Sequence, residues 1–293
     1  MMSTGVRFNN FCDEIKISQQ VADNVSYRYR RITRQINKSF WDSDSEIDHS
    51  LLVGSYGRIT AINASDVDTL LWLPYYYYQK YDSYQGNGQS ALIQALRDSV
   101  KNTYATSHVK GDGQVVVIKF DDGVRFELLP CFENSDGSFT YPDSHNGGRW
   151  KNTDPRPEIE AVRIMNNRTN GNLKNLCRMM RCWKNKWNVP MGGILIDTLS
   201  YKFLASWRYN TESYGYYDWM IRDFLEYLKN LDPKATYWLA PGSNKYVYPE
   251  GDFRYKALRC YNLAVEACEY ESKGCYYSAT QKWKEIFGVS FRG

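Results

Sequence analysis

The feature that most constrains the fold is a strand–turn–strand pattern in the segment QVVVIKFDDGVRFELLPCF. Two runs of β-branched and aromatic residues flank Asp122-Gly123, a pair that favours tight hairpin turns. Because successive residues of a strand point to opposite faces, Phe126 and Leu128 share one face while Arg125 and Glu127 lie on the other. The pattern therefore predicts an antiparallel β-hairpin with one apolar face.

Two shorter strands are predicted before this hairpin. The segment HSLLVGS is an apolar strand that ends in Gly54 and Ser55, and SDVDTLLWLP is a second strand that Pro74 ends. Residues i and i+2 of a strand share a face, so Asp66 and Asp68 project side by side while Val67 faces the core.

Most of the remaining chain has the three-to-four periodicity of amphipathic helices. One or two long helices are predicted between Val6 and Trp41, and YYYYQKYDSY indicates a partly exposed loop or helix start. The Gly- and Pro-containing stretch GSFTYPDSHNGGRWKNTDPRPE predicts a loop, and five helical segments follow it. We therefore expect an α+β protein with a core domain at residues 1–157 and a helical domain at residues 158–293.

Composition excludes several classes of protein. The chain has 293 residues, 43% of them apolar, with a net charge of +4, which is too weakly basic for a dedicated nucleic-acid binder. Its seven cysteines are spaced neither as a disulfide framework nor as a zinc site, and buried thiols are the simpler interpretation. No segment has the length of a signal peptide or a spanning helix, so we expect a cytoplasmic location and no membrane partner.

Asp66 and Asp68 are candidate metal ligands. Two carboxylates about 4 Å apart repel each other by about 4 kcal/mol at an effective dielectric constant near 20. Mg²⁺ would offset this repulsion, because it prefers oxygen ligands and bridges carboxylates to phosphates, and Glu127 on a neighbouring strand could be a third ligand. The alternative is that Asp66 and Asp68 are ordinary surface acids at a strand end. Asp121 and Asp122 are rival acids, but they occupy the hairpin turn, where Asp is favoured, and are taken as structural.

Several residues are candidates for binding phosphate. The turn at Gly54 and Ser55 offers backbone N–H groups and a hydroxyl, and Arg58 follows shortly after. A cationic ridge is predicted on the helix NLKNLCRMMRCWKNKW, where three residues fall at i, i+4 and i+7; the alternative is a solvated helix face. This cationic ridge comprises Lys174, Arg178 and Arg181.

Together these motifs resemble the polymerase-β-like nucleotidyltransferases. The order is Gly-Ser, then Asp-x-Asp on a strand, then an acid in the strand segment FELLP. With GGRWKNTDP, NLKNLCRMMRCWK, GGILIDTL and WKEIFG, the chain resembles the bacterial CD-NTases, the cGAS/DncV-like enzymes of CBASS antiphage defence, from about residue 8 to 288. Two departures are visible: Arg181 stands where relatives often have lysine, and Glu127 where many superfamily members have aspartate.

The resemblance implies a bilobed cyclic oligonucleotide synthase, with a small mixed sheet flanked by helices, a C-terminal helical domain and a central cleft. Asp66, Asp68 and Glu127 would be catalytic and hold two Mg²⁺ ions, for which Mn²⁺ can substitute. Gly54 and Ser55 would contact the triphosphate. A di- or trinucleotide product would be made from NTPs without obligatory nucleic acid and would act through a separate effector.

The expected synthase also involves two residues near the nucleotide base and the last residue of the chain. Ser200 and Tyr201 are candidates for contacting the nucleotide base, and for Tyr201 a core-facing ring is the alternative. Some members of the resembled family are conjugated through their C-terminus, and this chain ends in Gly293. Other functions remain open: transfer of one nucleotide to RNA, protein or a small molecule, and an inactive nucleotide-binding sensor.

Overall fold

The computed structural model describes residues 3–62 and 66–292, so Ser65, predicted at the start of a strand, and Gly293 lie outside the described residues. The chain forms two compact units. The sheet unit comprises residues 17–57 and 63–155, and the helical unit comprises residues 1–16, 58–62 and 156–293. The sequence places residues 1–157 in a single core domain, whereas the contacts group the first helix and residues 58–62 with the C-terminal residues.

In its described residues, the sheet unit contains a mixed sheet of seven strands. The main path runs β1-β2-β5-β4-β3, with β2 and β5 parallel and the other neighbours antiparallel, and β6 and β7 continue from the end of β5. The strands are β1 (Ser50–Leu52), β2 (Asp66–Trp72), β3 (His108–Asp112), β4 (Val115–Lys119), β5 (Arg125–Glu133), β6 (Phe139–Asp143) and β7 (Arg149–Thr153).

Helices cover the apolar face of this sheet. The long helix begins after Ser18, whose side chain accepts a hydrogen bond from the backbone N–H of Val21, and its apolar residues at helical spacing pack with the strand residues Phe126 and Leu128. The predicted α+β fold with a mixed sheet flanked by helices is therefore confirmed. The helices of this unit are α2 (Gln19–Phe40), the one-turn α3 (Gly54–Gly57), α4 (Tyr75–Asp82) and α5 (Gly88–Lys101).

One part of the sheet unit differs from the sequence prediction. The stretch GSFTYPDSHNGGRWKNTDPRPE, predicted as a loop, contains the antiparallel strands β6 and β7. Their polar residues are held together by the buried carboxylate of Asp143, which forms ion pairs with Arg149 at 2.9 Å and with Lys151 at 2.8 Å. The loop prediction is wrong because Gly, Pro and polar residues dominate this stretch, whereas the charge pairs of Asp143 and the buried ring of Phe139 stabilise the hairpin.

Among the residues of the helical unit that the structure describes, seven longer helices pack around a separate core. Its first helix is joined to its last by an aromatic cluster, in which the Phe8 ring lies 5.0 Å from both Trp283 and Phe291 between ring centroids. The unit also contains a small hairpin of β8 (Trp238–Leu239) and β9 (Tyr246–Val247). Its helices are α1 (Thr4–Glu14), α6 (Arg156–Arg168), α7 (Asn172–Trp187), α8 (Gly193–Ser206), α9 (Tyr217–Lys229), α10 (Arg254–Ser272) and α11 (Tyr276–Phe287).

Most of the cysteine side chains are buried, as the sequence analysis predicts. None of the seven cysteines, all of which lie in the described part of the chain, forms a disulfide; five are buried, Cys268 is half-buried and Cys275 is exposed. Burial raises the pKa of the Cys12 and Cys182 thiols to about 12, which leaves them protonated at neutral pH. None of the helices within residues 3–62 and 66–292 has the length and apolar character needed to cross a membrane.

Candidate active site

The candidate active site lies on one face of the parallel pair β2 and β5. The strand register places Asp66 opposite Arg125 and Asp68 opposite Glu127. Val67 and Phe126, which alternate with these residues, are completely buried on the helix-covered face, whereas Asp66 is exposed and Asp68 and Glu127 are half-buried. The predicted faces of both strands are therefore correct, and three carboxylates project from the same side of adjacent strands.

The Gly-Ser turn is packed directly against one of these carboxylates. The backbone N–H of Val53 donates to the carbonyl oxygen of Asp68 at 2.9 Å, which fixes the start of α3 beside β2. Gly54 has φ +61°, and a Cβ atom at this position would overlap with the Asp68 carboxylate. Glycine is therefore required at residue 54 both for its backbone conformation and for the close approach of the turn to Asp68.

Arg125 lies among the three acids. Its guanidinium group forms an ion pair with Glu127, and its Nε atom lies 3.5 Å from Oδ1 of Asp66. Within the part of the chain that the structure describes, no group of three or more His, Cys, Asp or Glu side chains is arranged to hold a metal ion. The carboxylates share a face, but their side chains are not assembled as a ligand set.

The donor chemistry nevertheless fits a divalent cation. Three carboxylates provide only oxygen donors, which Mg²⁺ and Mn²⁺ prefer, and neighbouring strands are about 4.8 Å apart, so side chains at opposed positions can approach a shared ion. Three acids and one arginine leave a formal charge of about −2, which attracts a cation. The backbone positions of the three acids therefore suit a metal site. In this structure Arg125 forms ion pairs with two of these acids, Asp66 and Glu127.

Arg58 and Arg181, which were predicted as phosphate contacts, are both paired with a buried carboxylate. Both form ion pairs with Asp197 on α8: Arg58 Nε lies 2.9 Å from Oδ2, and one guanidinium nitrogen of Arg181 lies 2.6 Å from Oδ1. Burial alone would raise the pKa of Asp197, but the charges and hydrogen bonds of Arg181 and Arg58 lower it to about 2. All three side chains are buried, so we assign Arg58 and Arg181 to the internal charge balance of the helical unit.

The cationic ridge is not an exposed stripe. Arg178 is buried and donates to the carbonyl oxygen of Ile59 at 2.8 Å, which anchors residues 58–62 to α7. Lys174 is half-buried, and burial together with the nearby charges of Arg178 and Arg163 lowers the pKa of its ammonium group. The interpretation of Lys174, Arg178 and Arg181 as one solvated cationic face is therefore wrong, since two of the three are buried.

The two candidate base-contacting residues lie on α8. Ser200 has no exposed surface, whereas Tyr201 is half-buried and packs against the apolar core of the helical unit. A buried hydroxyl is not presented to a ligand at the surface of this unit, so we leave Ser200 out of the proposed binding residues.

Two residues that matter here were missed by the sequence analysis. Arg125 is visible in the sequence as the residue that shares a strand face with Glu127, and the alternation pattern was sufficient to place it beside the acids. Asp197 is a single acid in the apolar run GGILIDTL, and a lone acid in a buried helix segment indicates a buried ion-pair partner.

A family model and a curated relative match this chain. The model of the Second Messenger Oligonucleotide or Dinucleotide Synthetase domain matches residues 2–166. A probable cyclic nucleotide synthase of Bacillus cereus (strain VD146) is 27% identical over 179 residues, which cover 57% of this chain and 51% of the relative. The alignment thus spans about half the length of that relative.

Solved structures with low sequence identity have the same fold. One is the Vibrio cholerae cyclic AMP-GMP synthase DncV, solved with the linear intermediate 5′ pppA(3′,5′)pG. It matches with a TM-score of 0.65 at 16% identity, and the match covers 99% of this chain and 88% of the DncV chain. The Bradyrhizobium diazoefficiens CD-NTase CdnG, solved with GTP, matches with a TM-score of 0.67 at 10% identity. That match covers 97% of this chain and 94% of the CdnG chain. At these identities the likeness shows the shared fold.

Proposed function

The chain belongs to the Second Messenger Oligonucleotide or Dinucleotide Synthetase domain family, and we propose that it is a cyclic oligonucleotide synthase that uses NTPs and two Mg²⁺ ions. The observation that carries this proposal is the register of β2 and β5, which sets Asp66, Asp68 and Glu127 on one sheet face with Gly54 packed against Asp68. GTP in the CdnG structure and the linear intermediate in the DncV structure support NTPs as the substrate class.

The proposed residues divide into two groups. Asp66, Asp68 and Glu127 would hold the divalent cations, which Mn²⁺ can replace, and Gly54 and Ser55 would contact the triphosphate. When bound, the cations supply charge neutralisation of the phosphate oxygens and polarisation of the acceptor hydroxyl. Positioning and charge neutralisation provide most of the catalysis in phosphoryl transfer, so a rigid strand pair is a suitable support for the three acids.

The chain's own residues would perform one proton transfer in each step. Glu127 accepts the proton of the acceptor ribose hydroxyl as the hydroxyl oxygen bonds to the α-phosphorus of the NTP. The bond from that phosphorus to the bridging oxygen breaks in line, and pyrophosphate leaves. A second step of the same kind joins the remaining hydroxyl and triphosphate of the linear product and closes the ring. The cyclic product would act on a separate effector in antiphage signalling.

Mass spectrometry of products made from all four NTPs with Mg²⁺ tests this proposal. We expect a phosphatase-resistant cyclic product from the wild-type protein and at least about a 10³-fold lower yield from Asp66→Asn with Asp68→Asn, because both metal-binding carboxylates are neutralised. The matched control is Asp121→Asn with Asp122→Asn. It removes the same charge from the β4–β5 turn, where Asp122 pairs with Arg28, and should retain the product.

Three results would contradict the proposal or its site. Labelled nucleotide that appears on RNA, polypeptide or a small molecule, with no free cyclic species, would identify a single-nucleotide transferase. Calorimetry that shows NTP binding without metal dependence or turnover would identify a nucleotide sensor. An undiminished product from the Asp66→Asn and Asp68→Asn variant would remove these residues from the catalytic site.

A further inference from the structure

Arg125 is a cation that the strand register places between the carboxylates of β2 and β5. On β5 it precedes Glu127 by two residues and therefore shares its face, and on β2 its opposed residue is Asp66. The guanidinium group contacts the carboxylates of both strands, through the ion pair with Glu127 and the 3.5 Å approach to Asp66. It thus connects two of the three acids that would hold the metal ions.

From this geometry we infer that Arg125 is a built-in counter-cation, which holds Glu127 and Asp66 in the metal-free protein and is displaced when a divalent cation binds. Arg125 is then a positioning residue that sets the affinity of the site for metal. The inference rests on the metal-dependent function proposed above, but its test does not require product formation.

Two physical effects of Arg125 act in the same direction. First, its positive charge reduces the negative potential that three carboxylates would otherwise present to a cation. Second, a carboxylate engaged with a guanidinium group must exchange that partner before it can coordinate a metal, and a forked guanidinium holds carboxylate oxygens in defined directions. Removal of Arg125 should therefore strengthen metal binding, whereas the loss of an ordinary supporting residue would weaken it.

Partial exposure makes this exchange accessible. The side chains of Arg125, Asp66 and Glu127 retain 36%, 57% and 26% of their surface, so solvent can receive the displaced guanidinium group. Ion pairs at such exposure are weak, and two of them together correspond to a change of about twofold to thirtyfold in metal affinity, with about fivefold to tenfold in the middle of that range. A deeply buried pair would instead be too costly to separate.

Electron paramagnetic resonance of free Mn²⁺ measures the affinity directly, in the absence of nucleotide. We expect Arg125→Gln to bind Mn²⁺ about fivefold to tenfold more tightly than the wild-type protein, and Arg125→Lys to lie between them because it keeps the charge but loses the fork. Mn²⁺ should also raise the melting temperature of Arg125→Gln more than that of the wild type at equal concentration. Adding Asp68→Asn to Arg125→Gln should remove the gain and thereby assign it to this site.

Lys119→Gln is the matched control for a general change in the electrostatic field. Lys119 is exposed on β4 with its backbone directly opposite Arg125, so its removal subtracts the same charge from a neighbouring position. We expect less than a twofold change in Mn²⁺ affinity for this variant. The inference is overturned if Arg125→Gln binds Mn²⁺ no more tightly than wild type, if Lys119→Gln gains as much, or if the gain persists with Asp68→Asn.

The two proposals can fail separately. If the wild-type protein makes no cyclic product but Arg125→Gln still gains Mn²⁺ affinity through Asp68, only the proposed synthase function is contradicted. If the wild-type protein makes the cyclic product but binds Mn²⁺ as tightly as Arg125→Gln does, only the proposed role of Arg125 is contradicted.

Discussion

Gly54 lies against the carboxylate of Asp68, and neither its backbone conformation nor the space beside it admits a side chain. The hydrogen bond from Val53 to the Asp68 backbone brings the turn to the strand at the same point. The two motifs that the sequence separates by more than ten residues are therefore one packed structure.

Gly54→Ala should impair catalysis far more than stability. The added methyl group would displace Asp68, and a shift of about 1 Å at a reacting centre can lower the rate about 10²-fold. We expect such a loss in the initial rate of product formation, together with a decrease in stability of about 1–2 kcal/mol from the positive φ.

Gly274→Ala is the control for the backbone cost alone. Gly274 has φ +73° with nothing within 4 Å of the added Cβ, so the variant should lose similar stability and keep its rate. An unchanged rate in Gly54→Ala would show that the close approach is not needed to position Asp68.

Asp197→Asn should strongly destabilise the helical unit. The substitution leaves Arg58 and Arg181 buried without their shared counter-charge, and removing one partner of a buried ion pair costs about 3–5 kcal/mol. Urea unfolding followed by tryptophan fluorescence at pH 7 measures this change. Glu160→Gln, which breaks the exposed pair with Arg163, should cost less than about 1 kcal/mol, and equal effects of the two variants would contradict the assignment.

Glu271→Gln should stabilise the protein at alkaline pH. Burial, followed by the nearby charge of Asp218, raises the pKa of Glu271 from 4.5 to about 7. An acid with a raised pKa stabilises the folded state below pH 4.5 and loses that contribution as the pH rises to about 7. The neutral amide avoids the loss and can still accept the hydrogen bond from Trp283 Nε1.

Thermal unfolding of the wild type and Glu271→Gln at pH 5 and pH 8 checks this dependence. After allowance for partial exposure, we expect the variant to gain about 1 kcal/mol at pH 8 and almost nothing at pH 5. Glu269→Gln, on the exposed side of α10, should show no such dependence on pH. A variant that is less stable than wild type at pH 8 would refute the prediction.

Phe8→Ala should destabilise the packing of α1 against α11. Phe8 has no exposed surface and contacts Trp283, Phe287 and Phe291, so its truncation removes a large buried ring and leaves a cavity. Such changes cost about 3–5 kcal/mol. Val6→Ala on the same helix, 36% exposed, should cost less than about 1 kcal/mol in the same urea titration; equal costs would show that α1 is not anchored by Phe8.

The sequence predicted those parts of the fold that have a regular apolar period. β2 and β5 alternate so clearly that the faces of Asp66, Asp68 and Glu127 followed from spacing alone. Most helices followed from their apolar stripes, but α6 (Arg156–Arg168) was not among the segments predicted as helical. The hairpin of β6 and β7 was missed because Asp143 and its cations stabilise it without that period.

Charge pairing between distant residues was not predictable from one sequence. Arg58 was expected to bind phosphate because it closely follows Gly54 and Ser55, but its partner Asp197 lies 139 residues further along the chain. Arg181 was expected on a phosphate-binding cationic ridge, with a solvated helix face as the alternative, and only the packing of α7 against α8 shows that it is buried. Local patterns indicate which residues share a face, but not which charges a fold neutralises internally.

The contact between α1 and α11 has a consequence for biosynthesis. Arg7 donates to the backbone of Tyr276, 269 residues later, so α1 emerges from the ribosome long before the helix that covers it. At about 5–20 residues per second, this interval is roughly 13–54 s, during which Phe8 and Phe11 lack their final partners. Residues 17–57 and 63–155 form a separate compact unit, so the sheet can form during translation, whereas the helical unit is complete only after its last helix has been synthesised.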